Sequence, residues 1–486
     1  MKNNDFKLTK HIFLILFLIF FFLFNAYQII KNTSPFFDWD ESIYAQVGKE
    51  MIQKKSFFVP LWQGRAWLDK PPLPSLVYGL TQLIPIKPEI STRLITLLLS
   101  CITLILLYLF TFHNIKKILP SLLTVIITAF IPIFLQRTQA LNVDVFLLLG
   151  WLGYVLYHDR FWISTLFLLV AVLSKSLLGF YPIGIFVLFH TYQLLTKQIN
   201  QGKFIHLIKR LLYQCFIASV WFIVMYLFYG QEFIRYHFIE SHFKRVTASI
   251  EQHFGQRTFY IDIIIDQLKW LIIPGIVSGI ILTYTYIKNK NMKQYLFTLF
   301  FIPWFIFLNL TKTKIAWYIY PVLPQFALLS SYPLTFFKNK LINTVYFIGA
   351  LFILFNYINP FSGILTSSYS QLEDHHRIAT NAKVNKCEKL FVLVGDNTRT
   401  SYATLKSMNL VISTTTWWGN HPSIAYYSQA KTTFIYNTKQ AIDKYINLNN
   451  KSCLIIEKND LSLFPPISKA RIVSTNNKTY ILFKGK

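Results

Sequence analysis

The residues able to do chemistry in this chain stand out because they interrupt apolar runs. The first group is Phe37-Asp38-Trp39-Asp40-Glu41-Ser42-Ile43-Tyr44-Ala45, continuing into the helical stretch AQVGKEMIQKK, and Trp67-Leu68-Asp69-Lys70-Pro71-Pro72-Leu73-Pro74 follows it. Carboxylates at the start of a helix are favoured by the backbone dipole, so Asp40 and Glu41 read either as N-terminal caps or as acid–base groups. Pro71 and Pro72 fix an extended backbone that holds Lys70 next to Asp69. The plain reading of that pair is a loop salt bridge, worth little where exposed. The chemical reading is group transfer, in which a cation stabilises a departing anion and a carboxylate serves the acceptor. Further along stand Asp144, Lys175, His242, Arg245, Tyr318 and His421. For these too there are plainer readings: Asp144 as a helix cap, Tyr318 as an interfacial aromatic, and Lys312 and Lys314 as contacts to lipid headgroups.

The elements that must position these groups are mostly apolar. Of 486 residues, 53% are hydrophobic, 17% aromatic and only 14% charged, with 46 Phe and a mean hydropathy of +0.41. A soluble chain carries about 25% charged residues, so disorder, a coiled coil and a purely soluble enzyme are excluded in favour of a polytopic membrane protein. Lys and Arg number 48 against 21 Asp and Glu, a net charge of +27. No RNP, zinc-finger or helix-turn-helix signature accompanies that charge, so it is read as basic loops flanking membrane helices and as cations for lipid or phosphate, not for nucleic acid.

Residues 12–30 form a first span after a basic tail with Lys2, Lys7 and Lys10, read as a retained helix and not as a signal peptide. Apolar segments recur near 91–112, 118–135, 143–158, 161–174, 177–195, 207–229, 263–287, 294–310, 315–336 and 341–358. About eleven transmembrane helices are therefore expected. A cytoplasmic N-terminus makes every short inner loop basic: Lys116/Lys117, Arg160, Lys197 to Arg210, Lys288 to Lys293, and Lys338/Lys340. The loops 31–90 and 230–262 and the tail from 361 are then external. Lys70, Arg137, Lys175, Arg245, Lys312 and Lys314 are cations on that outer side, against the general bias, and such exceptions call for a ligand.

The tail changes composition. CEKLFVLVG (387–395), TTFIYN, CLIIEK and KTYILF read as strands and TRTSYATLKSMN as a helix, so residues 361–486 are expected to form a small extracytoplasmic α/β domain after a transmembrane domain of residues 1–360. Cys387 and Cys453 each border a strand-like run and are free to pair in an oxidising compartment, whereas Cys101 and Cys215 lie in apolar runs.

The stretch DESIYAQVGKEM–FFVPLWQGRAWLDKPPLP resembles the first external loop of the bacterial aminoarabinose transferases and the related protein O-mannosyltransferases. Their pattern is a DE pair, YA, EM, a VP-containing spacer and an acidic residue before KPP. Four more segments resemble the family in order. They are Gln139-Ala140-Leu141-Asn142-Val143-Asp144, Leu173 to Gly179 around Lys175, Arg235 to Arg245, and Thr311 to Pro321. The sequence departs at Ile43, Trp67, Asp69, Ala316 and Trp317, which leaves the acceptor and the donor sugar open. The resemblance covers residues 35–330 and implies a GT-C fold and a glycosyltransferase of the inner (plasma) membrane using a polyprenyl-phosphate sugar.

From that resemblance and the residues themselves, Asp40, Glu41 and Asp144 are the expected catalytic carboxylates. Lys70, Lys175, Arg245 and Tyr318 are expected to hold the donor phosphate. Asp69, His242 and His421 offer nitrogen and oxygen donors of the kind that hold Zn²⁺, although no CxxC or HExxH is present. The sugar is expected to be aminoarabinose-like or another amino sugar or hexose. The expected acceptor is lipid A or another outer-leaflet glycolipid, with a protein Ser/Thr as the alternative. A transporter is the reading from a different class. It would place its charges at the bilayer midplane and carry an inverted repeat, and neither is apparent.

Overall fold

A computed structural model describes residues 11–289, 299–358, 372–466, 470–474 and 478–485. Helix α1 (Ile12–Lys31) turns Leu14, Phe21, Asn25 and Ile29 inward, against α4 (Pro88–Ile115). Between them the chain leaves the apolar region and builds its first polar layer. Trp39 sits at φ 71°, a left-handed conformation that a bulky residue adopts only under strain. The turn it makes starts α2 (Asp40–Gln53) at the acidic pair. At the other end of α2, the Glu50 carboxylate accepts from the N–H groups of Gln63 and Gly64 at 2.8 and 2.9 Å. Gln63 and Gly64, both at positive φ, are the two-residue turn between β1 (Leu61–Trp62) and β2 (Arg65–Ala66), the geometry favoured for tight hairpins.

The hairpin delivers Asp69 and Lys70 to the proline pair that opens α3 (Leu73–Thr81). Helices α2 and α3 touch through glycine: a Cβ on Gly48 would lie 2.3 Å from the Ser75 carbonyl, and one on Gly79 2.3 Å from the Gly48 carbonyl. No residue larger than glycine fits that approach.

Helices α5 (Ile118–Phe130) and α6 (Pro132–Thr138) meet at a 70° bend, where Pro132 removes a backbone donor. Then come α7 (Asp144–Leu156), α8 (Phe161–Lys175), α9 (Tyr181–Leu195) and α10 (Gln201–Phe233). Helix α10 runs on through π-helical turns over Ile234–Phe243, a widening often found at functional sites.

The expected count of eleven spans is not confirmed, and two of the expected segments are apolar helices of 10–17 residues, Asp144–Leu156 and Lys340–Asn356. Among the described residues, five helical stretches are long and apolar enough to cross a membrane, and a sixth if the bent α5–α6 pair is one span. The expected segments 161–174 and 177–195 form one broken stretch, Phe161–Leu195. The segment 315–336 is divided into a 3₁₀ turn over Ala316–Val322 and a nine-residue helix, Leu323–Ser331. Apolar runs in the interior of a helical membrane protein need not each reach across it, because protein and not lipid satisfies the ends of broken helices. Residues 294–298, Lys290 and Lys293 lie outside the described residues. The basic loops meet in pairs, Lys117 donating to the Thr335 carbonyl at 3.0 Å and Arg210 to that of Asp159 at 3.3 Å.

The tail forms the expected α/β unit. Its sheet has the order β4-β3-β5-β7-β6, with β3 (Lys389–Leu393), β4 (Lys431–Ile435) and β5 (Ser452–Glu457) parallel. Strand β7 (Tyr480–Gly485) is antiparallel to β5, and the edge strand β6 (Ala470–Ser474) is antiparallel to β7. Four of these strands are the ones expected from sequence, and β6 is an addition. Cys387 and Cys453 are bonded, with Cα atoms 5.8 Å apart. The parallel register that sets Leu390 opposite Cys453 brings the two chain positions together. The unit is not perched apart from the rest, since one apolar core joins Tyr44, Met51, Trp62 and Trp67 to Ile378, Trp418 and Ile424.

Candidate active site at the first polar loop

The DE pair divides its two carboxylates between different tasks. Glu41 is buried and takes Arg93 Nη2 at 2.7 Å and Nε at 3.1 Å. It also accepts from the N–H groups of Phe37 (2.8 Å) and Leu141 (3.0 Å). Arg93 in turn donates to the carbonyls of Ser34 and Pro35, both at 3.0 Å. Glu41 was expected among the catalytic carboxylates, but the geometry gives it a different position. Both oxygens are engaged in tying α2 to α4 and to the segment before α7. A buried charge needs such saturation.

Asp40, one residue earlier on the helix, faces the polar layer with a third of its side chain exposed. Its Oδ2 meets Arg137 Nη2 at 3.2 Å, and the same nitrogen meets Asp144 Oδ2 at 3.2 Å. The other oxygen of Asp144 pairs with the Lys175 ammonium, which lies 4.6 Å from the ring centre of Tyr318. Arg137 lies over the Trp317 ring at 5.1 Å. Asp40, Asp144, Lys175 and Tyr318, expected from sequence, are thus joined in one chain of contacts. Arg137, singled out in the sequence only as an outer cation, is the link. Residues from α2, α6, α7, α8 and the 3₁₀ turn after Ile315 meet there.

Beside this chain stands Lys70. Its ammonium has no hydrogen-bond or ion-pair partner among the described residues, and the side chain is partly exposed. Burial, with the positive charges of Arg245 and Lys175, pulls Lys70 down to about 8, against the opposing charges of Asp69 and Asp40. Several cations crowding one lysine favour an anion in their midst. Arg245 is held at 3.2 Å by Glu251. The neighbouring Asp69 faces the protein, taking Thr414 Oγ1 at 2.7 Å and Trp67 Nε1 at 3.2 Å. Burial pushes the Asp69 carboxyl up, and these two bonds and the nearby Lys70 pull it back. Lys314, considered a lipid contact from sequence, is instead buried and donates to the carbonyls of Leu308 and Asn309, both at 2.9 Å. It therefore caps the helix Ile302–Leu310.

The three expected metal ligands, Asp69, His242 and His421, are not brought together as a convergent donor group. Asp69 is spent on Thr414 and Trp67, His242 Nδ1 is 2.6 Å from the His237 carbonyl, and His421 lies against Asp38 at 2.8 Å. The residues were chosen for their chemistry, and the fold turns their donors to different partners. Among the described residues, the His/Cys/Asp/Glu group that converges is Asp38, His375 and His421. Burial alone would push the Asp38 carboxyl up, but the two close imidazoles outweigh it and hold Asp38 well below the usual carboxylate range. Sequence reasoning gave no role to Arg93, Asp38 or His375, and read Arg137 only as an outer cation that calls for a ligand. A lone arginine in the apolar run of α4 was the available signal for Arg93, whereas nothing local marks His375.

The fold is of the GT-C type. No family model matches the chain. It is similar, at 14% identity and a TM-score of 0.70 over 97% of both chains, to ArnT from Cupriavidus metallidurans solved with undecaprenyl phosphate. The resemblance seen in the first loop is thus borne out in fold. In sequence, the chain is 26% identical over 341 residues (66% of its length) to the undecaprenyl phosphate-alpha-4-amino-4-deoxy-L-arabinose arabinosyl transferase of Wigglesworthia glossinidia brevipalpis. It is also 24% identical over 302 residues (60% of its length) to an uncharacterized protein of Aquifex aeolicus (strain VF5). The matches span 58% of each of these two relatives.

Proposed function

We propose that the chain is a membrane glycosyltransferase that moves a sugar from a polyprenyl phosphate to an acceptor at the outer membrane face. The acceptor we favour is lipid A or another phosphorylated outer-leaflet glycolipid. The observation that carries the reading is Lys70, an unpaired cation beside the Asp40–Arg137–Asp144–Lys175 chain. The named relative, an arabinosyl transferase, supports it.

In this reading the donor's tail stays in the bilayer and its phosphate meets Lys70, with Lys175, Arg245 and Tyr318 around it. As the sugar–oxygen bond breaks, negative charge grows on the departing phosphate, and preorganised cations stabilise that charge without reorganising. Asp144 holds Lys175 and Arg137 in place. Asp40, the more exposed carboxylate, faces the acceptor. A hydroxyl acceptor needs Asp40 as a base. A phosphate acceptor is already ionised, and Asp40 then orients the sugar, through its amine where it has one. Glu41 is a positioning residue.

The test incubates membranes holding the protein with radiolabelled polyprenyl-phosphate aminoarabinose and asks which fraction gains label. Label in lipid A supports the reading. Label in protein moves the acceptor to Ser/Thr, and label in neither sinks the proposal. Asp40→Asn keeps the shape and removes the charge, so transfer should fall at an unchanged thermal midpoint, by about 100-fold or more where the acceptor is a hydroxyl and Asp40 is its base. Near-normal turnover by Asp40→Asn would remove Asp40 from the chemistry.

A further inference from the structure

The Asp38–His375–His421 group lies outside the transfer chemistry just described and joins parts of the chain remote in sequence. Asp38 comes from the loop before α2, and His421, which it meets, is 383 residues away in the tail. His375 opens the helix Asp374–Val384 and is 3% exposed. A single oxygen, Asp38 Oδ2, faces His375 Nε2 at 2.9 Å and His421 Nδ1 at 2.8 Å. The other, Oδ1, is fixed by the Ser423 N–H at 3.1 Å. The two imidazoles stack, with centroids 3.9 Å apart and planes at 11°.

Two features separate this arrangement from an ordinary hydrogen-bonded trio. His375 Nε2 is buried and makes no aligned hydrogen bond despite its closeness to Asp38, so that nitrogen is left for another partner. The opposite nitrogen, Nδ1, faces the Glu373 carboxylate at 3.5 Å, the outer-shell arrangement that orients a metal-bound histidine. The three ligand atoms lie within 4.8 Å of one another. Neighbouring ligands on a tetrahedral Zn²⁺ with bonds of about 2.0 Å stand about 3.3 Å apart. The present spacings to Asp38 therefore need to open by a few tenths of an ångström, and the His375 ring, now stacked on His421 and not aligned on Asp38, has to turn so that both in-plane lone pairs meet at the ion.

We propose that Asp38, His375 and His421 form a divalent transition-metal site, with Zn²⁺ as its natural occupant and the fourth position left to water. Two imidazoles and one carboxylate are a zinc donor set. The ion clamps the tail unit onto the first external loop, two residues before Asp40. The site stands independently of the glycosyltransferase reading.

The experiment uses the full chain in detergent, stripped with chelator, dialysed against Zn²⁺ and then against metal-free buffer. Metal is counted by mass spectrometry. About one equivalent is expected for the wild type and for His242→Gln, and background for the double variant His375→Gln/His421→Gln. Retention of zinc by the double variant, or none in the wild type, overturns the proposal. Loading the wild type with Co²⁺ reads the ligation without any substitution. An intense visible spectrum of four-coordinate cobalt is expected, and a weak six-coordinate one would reject the site even if the double variant fails to fold.

Discussion

Breaking the Glu41–Arg93 pair separates a positioning role for Glu41 from a catalytic one. The side chains are 3% and 1% exposed, respectively. In Glu41→Gln the amide cannot accept on both of its heavy atoms, so one Arg93 donor and one backbone N–H face an NH₂ group. In Arg93→Met the carboxylate keeps only the N–H groups of Phe37 and Leu141. Leaving one member of a buried pair uncompensated costs about 3–5 kcal/mol, whereas removing both charges together typically costs far less. The double variant should therefore recover roughly 2–4 kcal/mol of the summed single losses, as expected for residues in contact. Thermal unfolding in detergent, followed by tryptophan fluorescence, gives the stabilities, and single-turnover transfer gives the chemistry. Both single variants should lose midpoint and rate together, and the double variant should regain both. If Glu41→Gln abolished transfer at an unchanged midpoint while Arg93→Met left transfer intact, Glu41 would act on substrate and the positioning account would fail.

Three further outcomes follow from the same geometry. Lys70 binds an anion only when protonated and is held near 8, so affinity for the donor phosphodiester should fall as pH rises, about tenfold between pH 7 and 9. Lys70→Arg should remove that break, and a flat profile for the wild type would refute the assignment. Gly48→Ala places a methyl 2.3 Å from the Ser75 carbonyl and should cost about 1–3 kcal/mol, as overpacking does, with a lowered thermal midpoint as the readout. The Cys387–Cys453 bond spans a sequence separation of 66 and is worth about 4 kcal/mol in the chain-entropy model. Reduction should lower the unfolding midpoint of the tail unit, and free thiols in protein purified without reductant would contradict the bond.

The sequence alone determined the membrane class, the polar layer at the first loop and the strands of the tail, because each rests on local pattern. Twenty apolar residues need a bilayer, an acidic pair suits a helix start, and alternating short apolar runs make strands. Asp40, Asp144, Lys70 and Lys175 were legible for the same reason, as charges too costly to leave in apolar surroundings without a purpose. Only the tertiary structure decided what each charge faces. It set Glu41 against Arg93, made Arg137 the link between Asp40 and Asp144, and capped a helix with Lys314. It also replaced the expected trio of Asp69, His242 and His421 with Asp38, His375 and His421. Composition records that a residue must avoid or seek water, whereas a partner hundreds of residues away is chosen by packing that no local pattern encodes.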